Sequence, residues 1–425
     1  MTLPDASADM QGTGCGAGYD DRAPAADHPE PEMLAWFVAA LSGPALLLAS
    51  LPVTSGPPDE RPAPPAVRRA LADAAAPPAS PGRPLFNDPF GTERQQYALI
   101  RHINRRIDGA GRGSVVRVAA YSFAMRSTAQ ALLRAHRRGA AVKLVVDDRS
   151  TTWGSVRNLR RKLGGSIHRR SFVRVCRDSC RGVSGNQHAK FVTISRTGRE
   201  EDVVLVGSMN FTAFAAARQW QDLYSVADDA DLYAQFVRVF KLMTRDRPQG
   251  SLALPTPGEG FRAEVAPLPG TRRDPVGARL DAVACRGTTG GTGVRGRTLL
   301  RISMHAWNGD RGVRLARKVA HLARTGCDVR VLAGVGVGRR VATILRRAGV
   351  GYRVSERAGR ATHEKLMVVS GRYGAATDAS YVWTGSHNFS DRSLRNDEVT
   401  LRVAGARQVA AYRANFGRIW AVAGR

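Results

Sequence analysis

The chain has 425 residues, 43% hydrophobic and 24% charged, ordinary proportions for a globular protein and enough for two domains or one large duplicated one. Its net charge of +28 and pI near 11.2 set aside cationic partners in favour of anions: nucleic acid, anionic lipid headgroups or cell-wall polymers. Arginine carries nearly all of it, because lysine occurs only six times, at 143, 162, 190, 241, 318 and 365.

Residues 1–32 are polar and acidic without apolar periodicity, and read as a disordered or non-native extension. Residues 33–54 open with an uncharged run, MLAWFVAALSGPALLLASLPV, whose length fits a signal peptide or a single membrane anchor. Gly43-Pro44 interrupts that run and favours the signal peptide. The segment before it is acidic where a signal peptide is basic, which is explained if translation starts at Met33. Residues 55–87 are Pro/Ala-rich and read as a linker. Export and a spacer place the remainder outside the cell, with membrane anchoring as the runner-up. The cysteines agree. Loss of Cys15 leaves Cys176, Cys180, Cys285 and Cys327, an even set for two disulfides in an oxidising compartment. No cysteine and histidine spacing fits a zinc site, and neither a metal nor a cofactor is expected.

Patterned sequence begins near residue 88. Thr92-x-x-Gln95 reads as a capping box, followed by Leu99, Ile100, Ile103 and Ile107 at helical spacing. Val115–Tyr121 reads as a strand, and Ser127-x-x-Gln130 caps the next helix. Val142–Val146 is a strand and Trp153–Leu163 a helix. This order predicts a largely parallel sheet covered by helices over 88–244. Residues 245–272, rich in Pro, Gly and Arg, form a junction, and the programme restarts over 273–425. Arg138-Gly139-Ala-Ala-Val142-Lys-Leu144-Val145 aligns without a gap on Thr325-Gly326-Cys-Asp-Val329-Arg-Val331-Leu332. The chain is thus an internally duplicated α/β unit of roughly 160 residues.

Each unit carries one motif. The first is His188-Ala-Lys190 followed by Gly207-Ser208-Met209-Asn210, and the second His363-Glu-Lys365 followed by Gly385-Ser386-His387-Asn388. An acid follows each, Asp222 and Glu398. On a strand, residues two apart share a face, so each histidine lies beside its lysine. A lysine is a compact point charge, and in a chain that writes arginine almost everywhere Lys190 and Lys365 stand out. Two such units around one anion suit displacement at phosphorus. One imidazole attacks, the other protonates the leaving oxygen, and lysines with Asn210, Asn388, Ser208 and Ser386 hold the phosphoryl oxygens. An attacking imidazole must be neutral and held in the right tautomer, and Asp222 and Glu398 are the candidate acceptors. His102, His136, His168, His305 and His321 have no comparable context and read as ordinary surface or core histidines. Trp153, Trp220, Trp307 and Phe214 lie near the motifs in sequence and serve a substrate surface or the core.

These motifs resemble those of the phospholipase D superfamily over roughly residues 88–425. The resemblance implies a duplicated α-β-α sandwich, two lobes with pseudo-twofold symmetry and one active site between them. It also implies metal-independent phosphodiester hydrolysis through a phosphohistidine, with His188 the nucleophile and His363 the acid and base. One departure is plain: five residues after each lysine, where the family has aspartate, this chain has Ser195 and Ser370. The distance from lysine to Gly-Ser is also longer than the family's. Three functions follow: a secreted phospholipase D-type enzyme acting on phospholipid at a membrane surface, a nuclease of the same fold, or an inactive basic module binding anionic polymer or membrane. A monomer is expected. A lipase calls for apolar side chains exposed around the cleft, and a nuclease for an Arg-lined groove.

Overall fold

Alternation along the central strands decides the architecture. In Glu200–Gly207, Val203 and Leu205 join one buried cluster while Val204 and Val206 join another. Lys365–Tyr373 divides likewise, Leu366 and Val368 against Met367 and Val369. Successive side chains of a strand point to opposite faces, so a strand apolar on both faces must be covered on both. The computed structural model describes residues 79–249, 260–267 and 274–424. The extension, the signal or anchor segment and most of the expected linker lie outside them.

The first lobe's strands are β1 (Arg83–Phe86), β2 (Val115–Ala120), β3 (Ala141–Asp147), β4 (Phe172–Cys176), β5 (Phe191–Thr197), β6 (Glu200–Gly207), the short β7 (Gln219–Trp220) and β8 (Asp222–Val226). The second lobe's are β9 (Phe261–Ala266), the short β10 (Val283–Ala284), β11 (Leu299–Trp307), β12 (Asp328–Val337), β13 (Gly351–Val354), the short β14 (Ala361–Thr362), β15 (Lys365–Tyr373), β16 (Ala376–Gly385) and β17 (Glu398–Ala404). The sheets run β1-β8-β6-β5-β2-β3-β4 and β9-β17-β16-β15-β11-β12-β13, so seven strands of each lobe correspond, and β10 adds an eighth to the second sheet beside β15. Helices Ala98–Asp108, Arg126–Arg137 and Gly154–Leu163 cover one face of the first sheet, and helix Ala230–Arg245 packs on the other. In the second lobe Gly309–Arg324 and Arg339–Arg347 lie on one face and Ala406–Val422 on the other. Each lobe is an α-β-α sandwich. One continuous core joins them, from Val204, Val206 and Tyr224 to Val368, Val382 and Leu401.

The structure corrects four expectations. Neither sheet is largely parallel: in the first, only β2·β3 and β3·β4 are parallel, and in the second only β11·β12 and β12·β13. The tight hairpins β5–β6 and β15–β16 force those two pairs to be antiparallel, since only a crossover connection returns a parallel strand. Order begins before residue 88, because β1 sits inside the expected linker and pairs with β8. Its counterpart β9 lies inside the expected junction and pairs with β17. Both are short edge strands held by backbone bonds, which a Pro- and Gly-rich composition conceals. Finally, Ser127 does not cap its helix. Helix Arg126–Arg137 has Met125 at its N-cap and no side-chain cap, whereas the Thr92–Gln95 capping box forms on the short helix Glu93–Gln96.

Both disulfides form, Cys176–Cys180 and Cys285–Cys327, with Cα atoms 5.1 and 4.5 Å apart. Among the described residues no helix is long and apolar enough to cross a membrane.

Candidate active site

Both motifs lie at strand ends, and the strand pairing brings them together. His188 and Lys190 precede β5, and His363 precedes Lys365 at the start of β15. β6 and β16 run antiparallel to these strands and end at Gly207 and Gly385 on the same side. There the neighbouring backbone passes so close that a Cβ would overlap the carbonyl of Asp222 at Gly207 and of Val399 at Gly385. Only glycine fits such an approach. The next residues repeat the match: Ser208 Oγ accepts the Asp222 N–H at 3.1 Å, and Ser386 Oγ the Val399 N–H at 3.0 Å. Asp222 is therefore the counterpart of Val399, and Gln221 that of Glu398.

That single-residue offset changes the acceptors. Glu398, from the second lobe, takes the Nδ1 hydrogen of His188 in the first, its oxygens 3.0 and 2.9 Å away. Asn396 Nδ2 donates to Glu398 Oε1 at 3.1 Å, and Ser386 Oγ donates to Oε2. In the converse position His363 Nδ1 lies 3.2 Å from Gln221 Oε1 and 3.1 Å from the Ser208 carbonyl. Asp222 does not reach His363. Its carboxylate accepts from Ser208 Oγ at 2.7 Å, from Tyr412 OH at 3.1 Å and from Thr384, which pins the lobes together beneath the site. Asp222 is thus not the acceptor expected for a histidine, and Gln221 stands at that position. Ser208 and Ser386 are also corrected: both are fully buried and spend their hydroxyls on Asp222 and Glu398, not on a substrate.

His188 therefore keeps its hydrogen on Nδ1, and His363 does so where it bonds the Gln221 and Ser208 oxygens, although Lys365 Nζ also lies 3.1 Å from that nitrogen; both rings line a cavity of about 390 Å³. Asn388 lines it, and its Oδ1 accepts from the Ala306 N–H at 3.2 Å. Asn210 is not among the lining residues, and its Oδ1 is buried without a partner. Lys190 and Lys365 lie buried behind the histidines, each donating to the carbonyl of its own histidine. Lys190 Nζ also sits 5.2 Å from the centre of the Tyr121 ring.

The electrostatics follow from burying so much positive charge. Burial drives the His188 imidazole down to about 4, more than the Glu398 charge offsets, and Lys190 and Lys365 add to it. His363 is lowered as well, by burial and then by Lys365. Burial lowers Lys190 to about 7, and burial with the Lys190 charge brings Lys365 well below the ordinary lysine range. Burial alone would raise Glu398, but the charge and hydrogen bond of His188, with His387 and Lys190, hold it down to about 2. The site thus pairs a permanent carboxylate with a neutral imidazole, beside two lysines that an anion would recharge.

Two residues escaped the sequence reading. Tyr121 follows β2 and stands edge-on to His188, ring centres 4.9 Å apart. His305, near the end of β11, stands at 4.3 Å from the His363 ring. Superposing Val116–Tyr121 on Leu300–His305 would have revealed the pair, because Phe123 and Trp307 then bridge the equivalent Phe211 and Phe389. His305 is therefore a cavity residue and not an ordinary core histidine. Trp307 and Trp220 are core, Trp153 is half-buried, and Phe214 is 58% exposed.

The serines at the departed positions have local duties. Ser195 Oγ accepts the Val115 N–H at 2.8 Å, and Ser370 Oγ the Gly293 N–H at 3.0 Å. Five residues along a strand separate each from its lysine, roughly 16 Å.

Residues 103–244 and 297–420, one segment in each lobe, match the family described as cardiolipin synthase, PLD-like domain. The chain belongs to that family. Its superfamily acts on phosphodiesters, and the two matched segments are the two lobes. Among solved structures, phosphatidylserine synthase from Haemophilus influenzae Rd KW20 shares the fold at a TM-score of 0.55 and 13% identity, over 83% of this chain and 89% of that one. Nuc from Salmonella typhimurium, a phospholipase D family member, is 21% identical over 38% of this chain and 93% of its own, at a TM-score of 0.29. Polyphosphate kinase from Porphyromonas gingivalis is 11% identical over 80% of this chain at a TM-score of 0.49, and the match spans half of its length. No curated protein sequence matches the chain.

Proposed function

We propose that this protein is an exported, metal-independent phosphodiesterase of phospholipase D type that hydrolyses phospholipid headgroups. The observation that carries the chemistry is the unequal backing of two facing imidazoles, His188 by the Glu398 carboxylate and His363 by the neutral Gln221 amide. His188 Nε2 attacks phosphorus, the bond to the headgroup oxygen breaks, and His363, which takes up a second proton on Nε2 when the anion binds, gives that oxygen this proton. Glu398 then faces the positive charge left on the phosphohistidine ring. Water attacks phosphorus next, losing its proton to His363 as the N–P bond breaks. Lys190 and Lys365 supply the positive charge that offsets the phosphoryl oxygens, and a bound phosphodiester favours the protonated forms that the empty site discourages.

The lipid assignment rests on the surface around the site. The large apolar side chains exposed among the described residues are Phe90, Val183, Phe214 and Val335. Val183 lies three residues before Asn186, a cavity residue. Val335 sits between two glycines whose backbone touches His305 and Ala306. Exposed apolar side chains such as Val183 on its loop and Val335 on β12 suit contact with a bilayer. Two disulfides and the apolar segment at 33–54 support export.

The test is a panel in the presence of chelator: phosphatidylcholine vesicles, plasmid DNA and bis-p-nitrophenyl phosphate, with wild type, His188→Ala and His363→Ala. Lipid cleavage abolished in both variants is expected. Cleavage of DNA and not lipid moves the function to a nuclease, and full activity in either variant refutes the two-histidine mechanism. Inactivity of the wild type on all three substrates leaves the binding module.

A further inference from the structure

The second lobe carries a connection that the first lacks. Residues 282–298 join helix Pro275–Asp281 to β11, where residues 109–114 join Ala98–Asp108 to β2. The longer connection forms β10 beside β15 and holds Cys285, bonded to Cys327. With helix Gly309–Arg324 it walls a cavity of about 750 Å³, nearly twice the volume of the catalytic one. Arg372 of β15 lines this cavity, two residues past Ser370. Two residues past Ser195 in the first lobe stands Thr197, whose hydroxyl donates to the Arg106 carbonyl at 2.6 Å. Gly109 packs so close to that hydroxyl that a Cβ would overlap it. The matched place is therefore closed in the first lobe, and the cavity is an addition to the duplicated frame.

Its walls are cationic and its floor apolar. Arg286, Arg317, Lys318 and Arg372 line it, with Asp281 as the one carboxylate, and Lys318 takes that carboxylate. The three guanidiniums are left without a carboxylate partner among the described residues. Arg372 Nη1 donates to the Arg286 carbonyl at 3.4 Å, while its Nε is buried with no partner among the described residues. Gathered cations repel one another and a buried donor without an acceptor is costly, so an anion is the missing component. Guanidinium forks match phosphate oxygens, and the volume is that of a small-molecule site. Leu280, Val283 and Leu322 line the floor and are buried, which calls for an apolar body on the ligand. Arg372 lies seven residues along β15 from Lys365, roughly 23 Å, so this ligand is not the substrate between the two histidines. We propose that this cavity is a second binding site, for a soluble organic phosphate whose phosphate meets Arg286, Arg317 and Arg372 and whose apolar part covers the floor. The choice of a soluble ligand over a lipid rests on the lipid reading above, because a bilayer seated over the histidines leaves the far end of β15 in water; the substrate panel tests that reading separately.

The test is calorimetric titration of the full chain with naphthyl phosphate and with inorganic phosphate, beside vesicles of phosphatidic acid. Arg286 and Arg317 are exposed, so Arg286→Glu/Arg317→Glu should fold as the wild type does and keep its kcat/KM on bis-p-nitrophenyl phosphate. Its affinity for naphthyl phosphate at this site should fall by at least about tenfold, the worth of a hydrogen bond to a charged group. Ester held in the catalytic cavity is recognised by its survival in the variant. A second readout fixes the place. Bound naphthyl phosphate should slow reduction of Cys285–Cys327 by dithiothreitol and leave Cys176–Cys180 unaffected, and the variant should lose that protection. Absence of binding by the wild type overturns the assignment, as do affinity and protection unchanged in the variant. Inorganic phosphate bound as tightly as the ester overturns the apolar half of the proposal. Protection by phosphatidic acid vesicles and not by the ester overturns the soluble ligand and gives the cavity to a lipid.

Discussion

Glu398→Gln is the most informative single change, because it gives the second lobe the acceptor that the first already has in Gln221. The substitution is isosteric but removes the charge facing His188. Ser386 Oγ and Asn396 Nδ2 already donate to the two carboxylate oxygens. A glutamine amide therefore sets its NH2 against at least one donor, and if it faces His188 it draws the imidazole into the tautomer whose Nε2 carries hydrogen. A hydrogen bond to a charged group is worth about 1.5–3 kcal/mol, and each 1.4 kcal/mol is tenfold, so kcat/KM should drop by about 10- to 150-fold from the charge alone. The wrong tautomer adds to the loss. Gln221→Leu removes only a neutral contact to His363, about 1 kcal/mol, and should cost roughly fivefold. The assay is kcat/KM on bis-p-nitrophenyl phosphate with acid-quench trapping of the phosphoenzyme. Activity of Glu398→Gln within threefold of wild type would refute the reasoning, as would an equal loss in Gln221→Leu.

Two further predictions concern pH and the disulfides. His188 must be neutral to attack, and Lys190 must be charged to hold phosphate. The kcat/KM profile should thus rise as pH climbs through about 4 and fall no later than about 7, earlier where His363, lowered by burial, loses the proton it donates; an acid limb near 6.5 would show that burial does not lower His188. The disulfides should separate stability from activity. Loop closure predicts a cost of about 4 kcal/mol for Cys285→Ser/Cys327→Ser and about 2 for Cys176→Ser/Cys180→Ser, read from urea unfolding. The latter pair should lose more activity. Its loop holds Asp397, beside Glu398, through Ser179 Oγ at 2.9 Å and the buried Arg181 Nε at 2.7 Å. Equal activities in the two double variants would detach that loop from the site.

Much of the fold was legible in the chain. Period-two and helical apolar patterns placed the central strands and most helices, and the ungapped match of 138–145 with 325–332 exposed the duplication. The edge strands β1 and β9 were not legible, because each is a short run set in Pro-, Gly- and Arg-rich sequence, although Phe261, Ala263 and Val265 of β9 turn one face into the shared core. The parallel expectation failed for a related reason: strand direction follows from connection length, and the β5–β6 and β15–β16 turns are short. At the site, His188, His363, Lys190 and Lys365 stood out through repetition. Asp222 was a counting error of one residue that only the register could expose, since Gly207 sits opposite Leu223 where Gly385 sits opposite Thr400.

The sequence by itself determined the chemical inventory, two imidazoles with two lysines in a duplicated α/β frame, because repetition of a rare pattern at matched places needs no coordinates to be seen. Tertiary structure alone decided who partners whom. Glu398 crosses to the other lobe to hold His188, Gln221 does the same for His363, Asp222 is sealed beneath the site, and His305 turns into the cavity beside His363. The physical reason is that a strand's sequence declares which side chains share a face. Which face meets which, and at what offset, is set by pairing and packing between segments far apart in the chain.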